Sequence, residues 1–166
     1  MINKFIYFTY GTKDLLEHRC ANLHTKVHLE LDGIPQQLPE LESIVLMNIP
    51  SWGGGVTLSI PTDYHRNYEQ KFDDGLIEVF GLTSSFHIGQ VMIGLSKPIF
   101  LGQARSVKLQ LIEHLPVQVD GEPWIQSPAS IKVSWNSHAI LLKNTSTNNA
   151  SFWTTERDNV NIDDRR

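Results

Sequence analysis

The chain has 166 residues, a formal net charge of -4 and 40% hydrophobic residues, which suffices for one packed domain and is short for two. Its acidic balance argues against nucleic acid as a partner, because a protein that neutralises backbone phosphates needs a basic stripe. The single cysteine, Cys20, excludes an internal disulfide framework and fits a reducing, cytoplasmic compartment.

The amino-terminal half is expected to contain four strands and one short helix, with one of the strands directly after the turn at Asp32 and Gly33. The aromatic run at 5–10 has strand composition, and Asp14 with Glu17 forms a capping box in front of an amphipathic helix. Apolar and polar residues alternate along Val27–Leu31, which predicts a strand with one buried face, ended by an Asp-Gly turn. The almost entirely apolar segment 43–49 predicts a strand covered on both faces, at the centre of the core.

The carboxy-terminal half is expected to be antiparallel β with one further helix. Residues 61–72 are polar and predict an exposed, mobile loop before a strand at residues 76–80. Apolar residues recur at helical spacing from Ile88 to Leu95 and predict a second amphipathic helix, which stops before a proline and covers a sheet. Alternating apolar residues between 107 and 142 predict successive strands.

These elements predict an α+β fold, mainly an antiparallel β-sandwich with about two short amphipathic helices. The domain is expected to cover residues 1–143. After Lys143 the chain becomes rich in Asn, Ser and Thr. That segment is too polar to offset the entropy of ordering, so residues 144–166 are expected to form a disordered tail.

The segment around Asp120 and Gly121 carries the strongest hairpin signal in the chain. Asp-Gly suits a type I′ turn, in which both central residues take positive φ. In that register Glu122 pairs with Val119 and shares a face with Trp124, which places a carboxylate on an otherwise apolar surface. Partial removal of water would make this carboxylate a candidate for proton transfer. A solvated turn is the alternative, since most Asp-Gly turns have no further role.

Two further segments have residue types that occur at ligand sites. Gly53, Gly54 and Gly55 would let the backbone approach a ligand closely, or would form a flexible turn. They lack the lysine and the following helix of a phosphate-binding loop. Asp73 and Asp74 offer paired carboxylates that can hold Mg²⁺ through water, although Asp-Asp-Gly before a strand is also common turn chemistry.

Four segments, in their order and spacing, resemble the accessory half of the catalytic region of eukaryotic diacylglycerol kinases. They are Asn-Ile-Pro-Ser-Trp-Gly-Gly-Gly at 48–55, Asp-Gly-Leu-Ile-Glu-Val at 74–79, His-Ile-Gly-Gln at 87–90 and Val-Gln-Val-Asp-Gly-Glu-Pro-Trp at 117–124. The similarity extends over nearly all of the chain except the polar tail.

The resemblance implies transfer of the γ-phosphoryl group of ATP to the primary hydroxyl of diacylglycerol, yielding phosphatidate, with Mg²⁺ accompanying the nucleotide. The family's ATP-binding lobe carries a Gly-Gly-Asp-Gly segment that does not occur in this sequence, so the isolated chain is expected to be inactive. The implied partners are diacylglycerol and the ATP-binding lobe of the same kinase. Membrane contact is expected to be peripheral, because no apolar run reaches the roughly 20 residues that span a bilayer.

Residue roles follow from the same resemblance. Glu122, the glutamate of Asp-Gly-Glu, is implied to be the catalytic carboxylate near the acceptor hydroxyl. Asp120 and the triplet from Gly53 to Gly55 are implied to lie at the substrate cleft. Asp74 is a secondary candidate, for a metal and water network at the junction of the two lobes.

Two other functions remain open at this point. The chain would be a non-catalytic module, pairing with a full-length kinase or with lipid, if it occurs naturally without the ATP-binding lobe. A sphingoid or ceramide kinase shares the Asp-Gly-Glu signature, but Pro123-Trp124 and the segment ending at Gln90 favour diacylglycerol as the substrate.

Overall fold

A computed structural model describes residues 20–52, 55–64 and 67–140. The chain divides into two compact units, residues 1–136 and 137–166. The architecture below is that of the first unit.

Three predictions fall outside the described residues. They are the strand at 5–10, the capping box of Asp14 and Glu17 with most of its helix, and the polar tail at 144–166. The end of that predicted helix is described, and there Leu23–Thr25 forms a short 3-10 turn with a buried leucine.

The described part of the first unit contains nine strands and one α-helix. The strands are β1 (Val27–Leu31), β2 (Ile34–Gln36), β3 (Ser43–Met47), β4 (Ile77–Leu82), β5 (Ile99–Ala104), β6 (Ser106–Leu111), β7 (Leu115–Val119), β8 (Glu122–Gln126) and β9 (Ala129–Ser134). The helix, α1 (Ser85–Met92), connects β4 to β5, and a 3-10 turn at Thr62–Tyr64 precedes β4. The pairings of these strands are antiparallel, which confirms a mainly antiparallel β fold with few helices.

The strands form three sheets, with the orders β2-β1-β6-β9, β3-β4-β5 and β7-β8. The register of β1 against β6 pairs Leu29 with Leu109 and Leu31 with Val107. Paired residues share a face, so the apolar side chains of both strands lie together. The strand predicted from alternation at Val27–Leu31 is therefore confirmed, with its apolar face buried.

The four-stranded and three-stranded sheets pack face to face, as a sandwich requires. The cluster between them, here the inter-sheet cluster, consists of Leu29, Leu31, Ile77, Val79, Ala104 and Val107. The opposite face of the three-stranded sheet carries the helix-side cluster, which consists of Met47, Leu58, Ile60, Phe80, Leu82, Val91 and Phe100. Strand β4 contributes to both clusters, and all six of its residues are buried.

The predicted central position of segment 43–49 is wrong. Strand β3 is an edge of the three-stranded sheet, and four of its five residues are only half-buried. Strand β4 is central instead. It is packed so closely that a Cβ at Gly81 would lie only 2.6 Å from Leu41 Cδ2. The composition of β4 obscured this, since Glu78 and Gly81 interrupt its apolar run.

Strand β5 was not expected from the sequence. Its register against β4 shifts between Val79 and Phe80, and Gly102 has a φ of 144°. Burial alternates along β5 in the structure, but its sequence begins with three consecutive apolar residues and has Gly102 at a buried position, so apolar and polar residues do not alternate. The segment therefore lacks the usual sequence signature although it completes the three-stranded sheet.

Helix α1 confirms the predicted carboxy-terminal helix. Ser84 Oγ accepts a hydrogen bond of 3.0 Å from the N–H of His87 and so caps the first turn. At the other end the N–H of Leu95 donates to Gln90 O at 2.8 Å, as in a Schellman ending. Val91 packs into the helix-side cluster, so the helix covers the sheet as predicted, but Leu95 lies beyond the helix and is exposed.

The loop at 61–72 is attached more firmly than a mobile loop would be. The rings of Tyr64 and Tyr68 meet the ring of Phe100 nearly edge-on, with centroid distances of 5.4 Å and 5.1 Å. Gln70 Nε2 also donates to Leu58 O at 3.0 Å. In its described part the loop thus exposes many polar side chains, while Tyr64 and Tyr68 pack against Phe100 of the three-stranded sheet.

Candidate functional site

The hairpin β7–β8 has the geometry that its sequence predicts. Asp120 has a φ of 50° and Gly121 a φ of 93°, so both central residues take the positive φ of a type I′ turn. The register pairs Val119 with Glu122, and Trp124, two residues further on, lies on the same face. The predicted placement of Glu122 beside apolar side chains is confirmed.

The Glu122 side chain is nevertheless exposed to solvent, together with Val119, Trp124 and Ile125. Trp124 and Ile125 are consecutive residues of β8 and point to opposite faces, so both faces of the hairpin are open. The partial desolvation expected for Glu122 is therefore not provided by the described part of the chain. Another protein surface or a ligand would have to cover the hairpin to desolvate the Glu122 carboxylate.

The base of the hairpin is held firmly. Leu115, at the start of β7, is buried in a cluster with Leu23, Val27 and Leu111. Val27 and Leu111 pair across β1 and β6, so the base of the hairpin packs against the four-stranded sheet. This arrangement presents Asp120 and Glu122 at a defined place.

Asp74 lies in the turn that starts β4. Its Oδ1 accepts a hydrogen bond of 2.9 Å from the N–H of Leu76, which is the turn chemistry that aspartate favours. Next to it, Gly75 has a φ of 75°, and the ring of Trp135 lies 3.2 Å from the position of a Cβ there. The turn is therefore closely packed, and Asp74 is half-buried.

Only one member of the glycine triplet is described. Gly55 has a φ of 107°, and the backbone amides of Trp52 and Val56 donate to each other's carbonyl oxygens at 2.8 Å. Gly53 and Gly54 lie outside the described residues. Gly55 thus lies in a loop closed by the bridge between Trp52 and Val56, and the proximity of the triplet to a ligand stays a prediction.

Glu78 is a buried ionisable residue that the sequence analysis did not identify as a candidate. It lies in the middle of the three-stranded sheet and is completely buried. Its Oε1 accepts a hydrogen bond of 2.8 Å from Gln103 Nε2, while its buried Oε2 has no hydrogen-bond partner. The signal that could have found it is a single carboxylate inside an apolar strand, which is rare because an unpaired buried charge is costly.

Burial raises the pKa of Glu78 to about 7, against the lowering effect of the Gln103 hydrogen bond, and the nearby charge of Asp74 raises it further. The carboxyl group therefore takes up a proton near neutral pH. Gln103 Nε2 also donates to Glu69 O at 2.7 Å, so one amide connects the buried carboxyl group to the loop above it. This suits Glu78 for positioning the loop rather than for contact with a substrate.

The structure brings together only some of the predicted site residues. Asp74, in the turn before β4, and Glu78, the second residue of β4, are four residues apart. Glu122 and Asp120 lie on a hairpin of the separate two-stranded sheet. In the described residues no group of three or more His, Cys, Asp or Glu side chains is placed to hold a metal ion.

Two further observations bear on function. Burial raises the pKa of the Cys20 thiol to about 11, so this thiol is protonated at neutral pH and unsuited to act as a nucleophile. Of the helices in the described residues, none has the length and apolar character needed to cross a membrane.

The chain is similar to one protein family throughout most of its length. The family model described as the diacylglycerol kinase accessory domain matches residues 1–123. Similar curated proteins include diacylglycerol kinase 1 of Arabidopsis thaliana, which is 35% identical over 145 residues, covering 86% of this chain and 20% of that protein.

Two animal proteins extend this similarity. Human diacylglycerol kinase theta is 37% identical over 132 residues, covering 80% of this chain and 14% of that protein. Probable diacylglycerol kinase 3 of Caenorhabditis elegans is 33% identical over 174 residues, covering 92% of this chain and 22% of that protein. The chain therefore spans between 14% and 22% of the lengths of these three relatives.

Proposed function

The chain belongs to the diacylglycerol kinase accessory-domain family, and on this premise we propose that it is the lipid-facing lobe of an ATP-dependent diacylglycerol kinase. The reaction transfers the γ-phosphoryl group of ATP to the primary hydroxyl of diacylglycerol and yields phosphatidate and ADP. Because the chain contains no Gly-Gly-Asp-Gly segment, the proposal includes a separate ATP-binding lobe as partner. The lobe described here is proposed to be inactive alone.

The observation that carries this proposal is the uncovered hairpin. A two-stranded hairpin is marginally stable in water unless its faces pack against something. Here Val119, Trp124 and Ile125 expose apolar surface on both faces, beside the Glu122 carboxylate. An interlobe contact would bury these side chains and remove water from Glu122, which suits a site that must exclude hydrolysis of ATP.

In the proposed mechanism Glu122 is the general base. Its carboxylate accepts the proton of the diacylglycerol hydroxyl as the hydroxyl oxygen forms a bond to the γ-phosphorus. At the same time the bond breaks between the γ-phosphorus and the oxygen that bridges it to the β-phosphorus. ADP leaves with the electron pair of the broken bond. Asp120, next to the turn glycine, contributes the positive-φ backbone that directs the hairpin tip.

ATP and Mg²⁺ are proposed to bind mainly to the other lobe. Mg²⁺ neutralises charge on the phosphates when bound. A carboxylate is a suitable ligand for this hard cation, but the described residues offer no cluster of three acidic, His or Cys groups, and Asp74 Oδ1 is already bonded to Leu76. Asp74 therefore fits as one supporting Mg²⁺ ligand at the lobe junction, or as an acceptor of a hydrogen bond from a Mg²⁺-bound water. It does not by itself form a Mg²⁺ site.

The test measures ATP-dependent formation of phosphatidate in diacylglycerol micelles. The 166-residue chain is assayed alone and together with a separately expressed ATP-binding lobe of a related kinase. Activity is expected only in the mixture, with a loss of at least about 100-fold for Glu122→Gln, as is typical when a general base is removed.

Glu113→Gln is the matched control, since Glu113 is also an exposed glutamate, in the segment between β6 and β7. It should leave activity within about twofold of the unaltered chain. Activity of the chain alone, or equal activity of the Glu122→Gln and Glu113→Gln mixtures, would contradict the mechanism. Binding of the two lobes without any activity would favour a non-catalytic module.

A further inference from the structure

Helix α1 has an uncovered apolar side that the proposed function does not use. Phe86 is 76% exposed, Ile93, which directly follows the helix, is 65% exposed, and Leu95 is 75% exposed. Phe86 and Ile93 are seven residues apart and so lie on one side of the helix. The N–H of Leu95 bonds back to Gln90 O at 2.8 Å, which keeps Leu95 at the end of the same helix. These three side chains are called the α1 patch.

The α1 patch is rigidly attached to the domain. On its opposite side the helix packs Val91 into the helix-side cluster, where Phe80 and Leu82 of β4 are also buried. At its start, His87 Nδ1 accepts a hydrogen bond of 3.2 Å from the N–H of Thr83. The patch is therefore a fixed feature of the surface and not a frayed end.

The charge pattern around the patch indicates what covers it. The whole chain contains 18 Asp and Glu residues, but none occurs in the 34 residues from 79 to 112. The cation near the helix is Lys97, which is exposed. The ring of His87 contacts Lys97 O through Nε2 at 2.9 Å, so Lys97 is held beside the first turn of α1. The α1 patch thus combines apolar side chains with an exposed lysine in a segment of the chain without acidic residues, which complements an anionic lipid surface. Glu42 adjoins this segment before the helix begins, where its N–H donates to Leu82 O at 2.9 Å.

We propose that the α1 patch is the surface by which this lobe contacts the membrane, with Phe86, Ile93 and Leu95 entering the interface of an anionic bilayer and Lys97 near its headgroups. The inference rests on the proposed function, in that it supplies the route by which a lipid kinase reaches a substrate dissolved in a membrane. The contact is weak and reversible, because few side chains enter the lipid.

Vesicle binding of the 166-residue chain tests the proposal without ATP and without a second lobe. Vesicles of phosphatidylcholine alone are compared with vesicles of equimolar phosphatidylcholine and phosphatidylserine in a sedimentation assay. Tighter binding to the anionic vesicles is expected. Phe86→Ser should weaken that binding about tenfold and Ile93→Ser severalfold, since each removes apolar surface from the contact.

Ile34→Ser is the matched control, because Ile34 has the same 65% exposure as Ile93 but lies in β2, an edge strand of the four-stranded sheet. It should leave vesicle binding unchanged. Lys97→Gln should weaken binding to the anionic vesicles about fivefold and leave binding to phosphatidylcholine unchanged, as expected for one lysine near a charged surface.

Equal binding of the Phe86→Ser, Ile93→Ser and Ile34→Ser chains would overturn the proposal. So would loss of self-association in Phe86→Ser, seen by light scattering, with unaltered vesicle binding, since the patch would then face a second copy of the chain. The vesicle assay and the kinase assay test separate proposals. If vesicle binding depends on the α1 patch but the lobe mixture forms no phosphatidate, the membrane-contact proposal stands and the catalytic proposal is contradicted.

Discussion

Strand β4 and the hairpin β7–β8 each place a glutamate among apolar neighbours, and tertiary packing gives the two carboxyl groups opposite surroundings. Glu78 is covered on every side and has a pKa raised to about 7. Glu122, beside Val119 and Trp124, is exposed. Apolar neighbours along a strand therefore do not by themselves desolvate a carboxylate. A second layer has to cover the strand on both faces, as the inter-sheet and helix-side clusters cover β4.

The largest expected effect is on the stability of the covered strand. Phe80→Ala should lower the free energy of unfolding by about 4 kcal/mol, because it empties a site in the helix-side cluster. Ile125→Ala, on the exposed hairpin, should cost less than about 1 kcal/mol, since that side chain is already largely in water. Urea denaturation of both variants measures the difference, and equal costs would show that the hairpin is covered within the chain.

The pH dependence of stability should come next, at about 3 kcal/mol. The folded-state pKa of Glu78, about 7, lies above its ordinary value of 4.5, so the folded state holds the proton more tightly. Its stabilising effect is fully present below pH 4.5 and is lost as the pH rises to about 7, and each unit of pKa shift corresponds to about 1.4 kcal/mol.

Glu78→Gln should remove this loss, because an uncharged amide replaces the carboxylate that burial disfavours. Denaturation curves between pH 4 and pH 8 are compared for the unaltered chain and for the Glu78→Gln chain, with Glu113→Gln as an exposed control. A Glu78→Gln chain that loses as much stability with rising pH as the control would mean that Glu78 is hydrated in the folded state.

The smallest expected effect concerns the hairpin turn. Gly121→Ala should cost about 1 kcal/mol, because φ at this position is 93° and a Cβ is strained there although nothing lies within 4 Å. Gly89→Ala, in α1 with equally open space and no positive φ, should instead stabilise the protein by about 0.5 kcal/mol. Thermal unfolding of the two variants should therefore shift in opposite directions, and a shared direction would argue against the type I′ turn.

Local features of the sequence predicted a good part of the structure. Strict alternation identified β1, because a two-residue period admits only one pattern of buried and exposed faces. Asp120 and Gly121 identified the hairpin and its register, since few residue pairs adopt positive φ twice in succession. The helix around Ile88 and Val91 was identified by its period, and the family by motifs that extend over most of the chain.

The tertiary structure alone decided the rest. Strand β4 is buried on both faces, because the four-stranded sheet covers one face and α1, together with the loop before β4, covers the other. These segments are far apart in the chain, so no local sequence pattern indicates that they meet. The same packing buries Glu78 and leaves Glu122 and Phe86 exposed. The sequence by itself therefore determined most of the strands, the hairpin turn and the family motif, since these depend on near neighbours, but it did not determine β5. Burial, and with it the ionisation of each glutamate, depends on contacts between segments far apart in the chain.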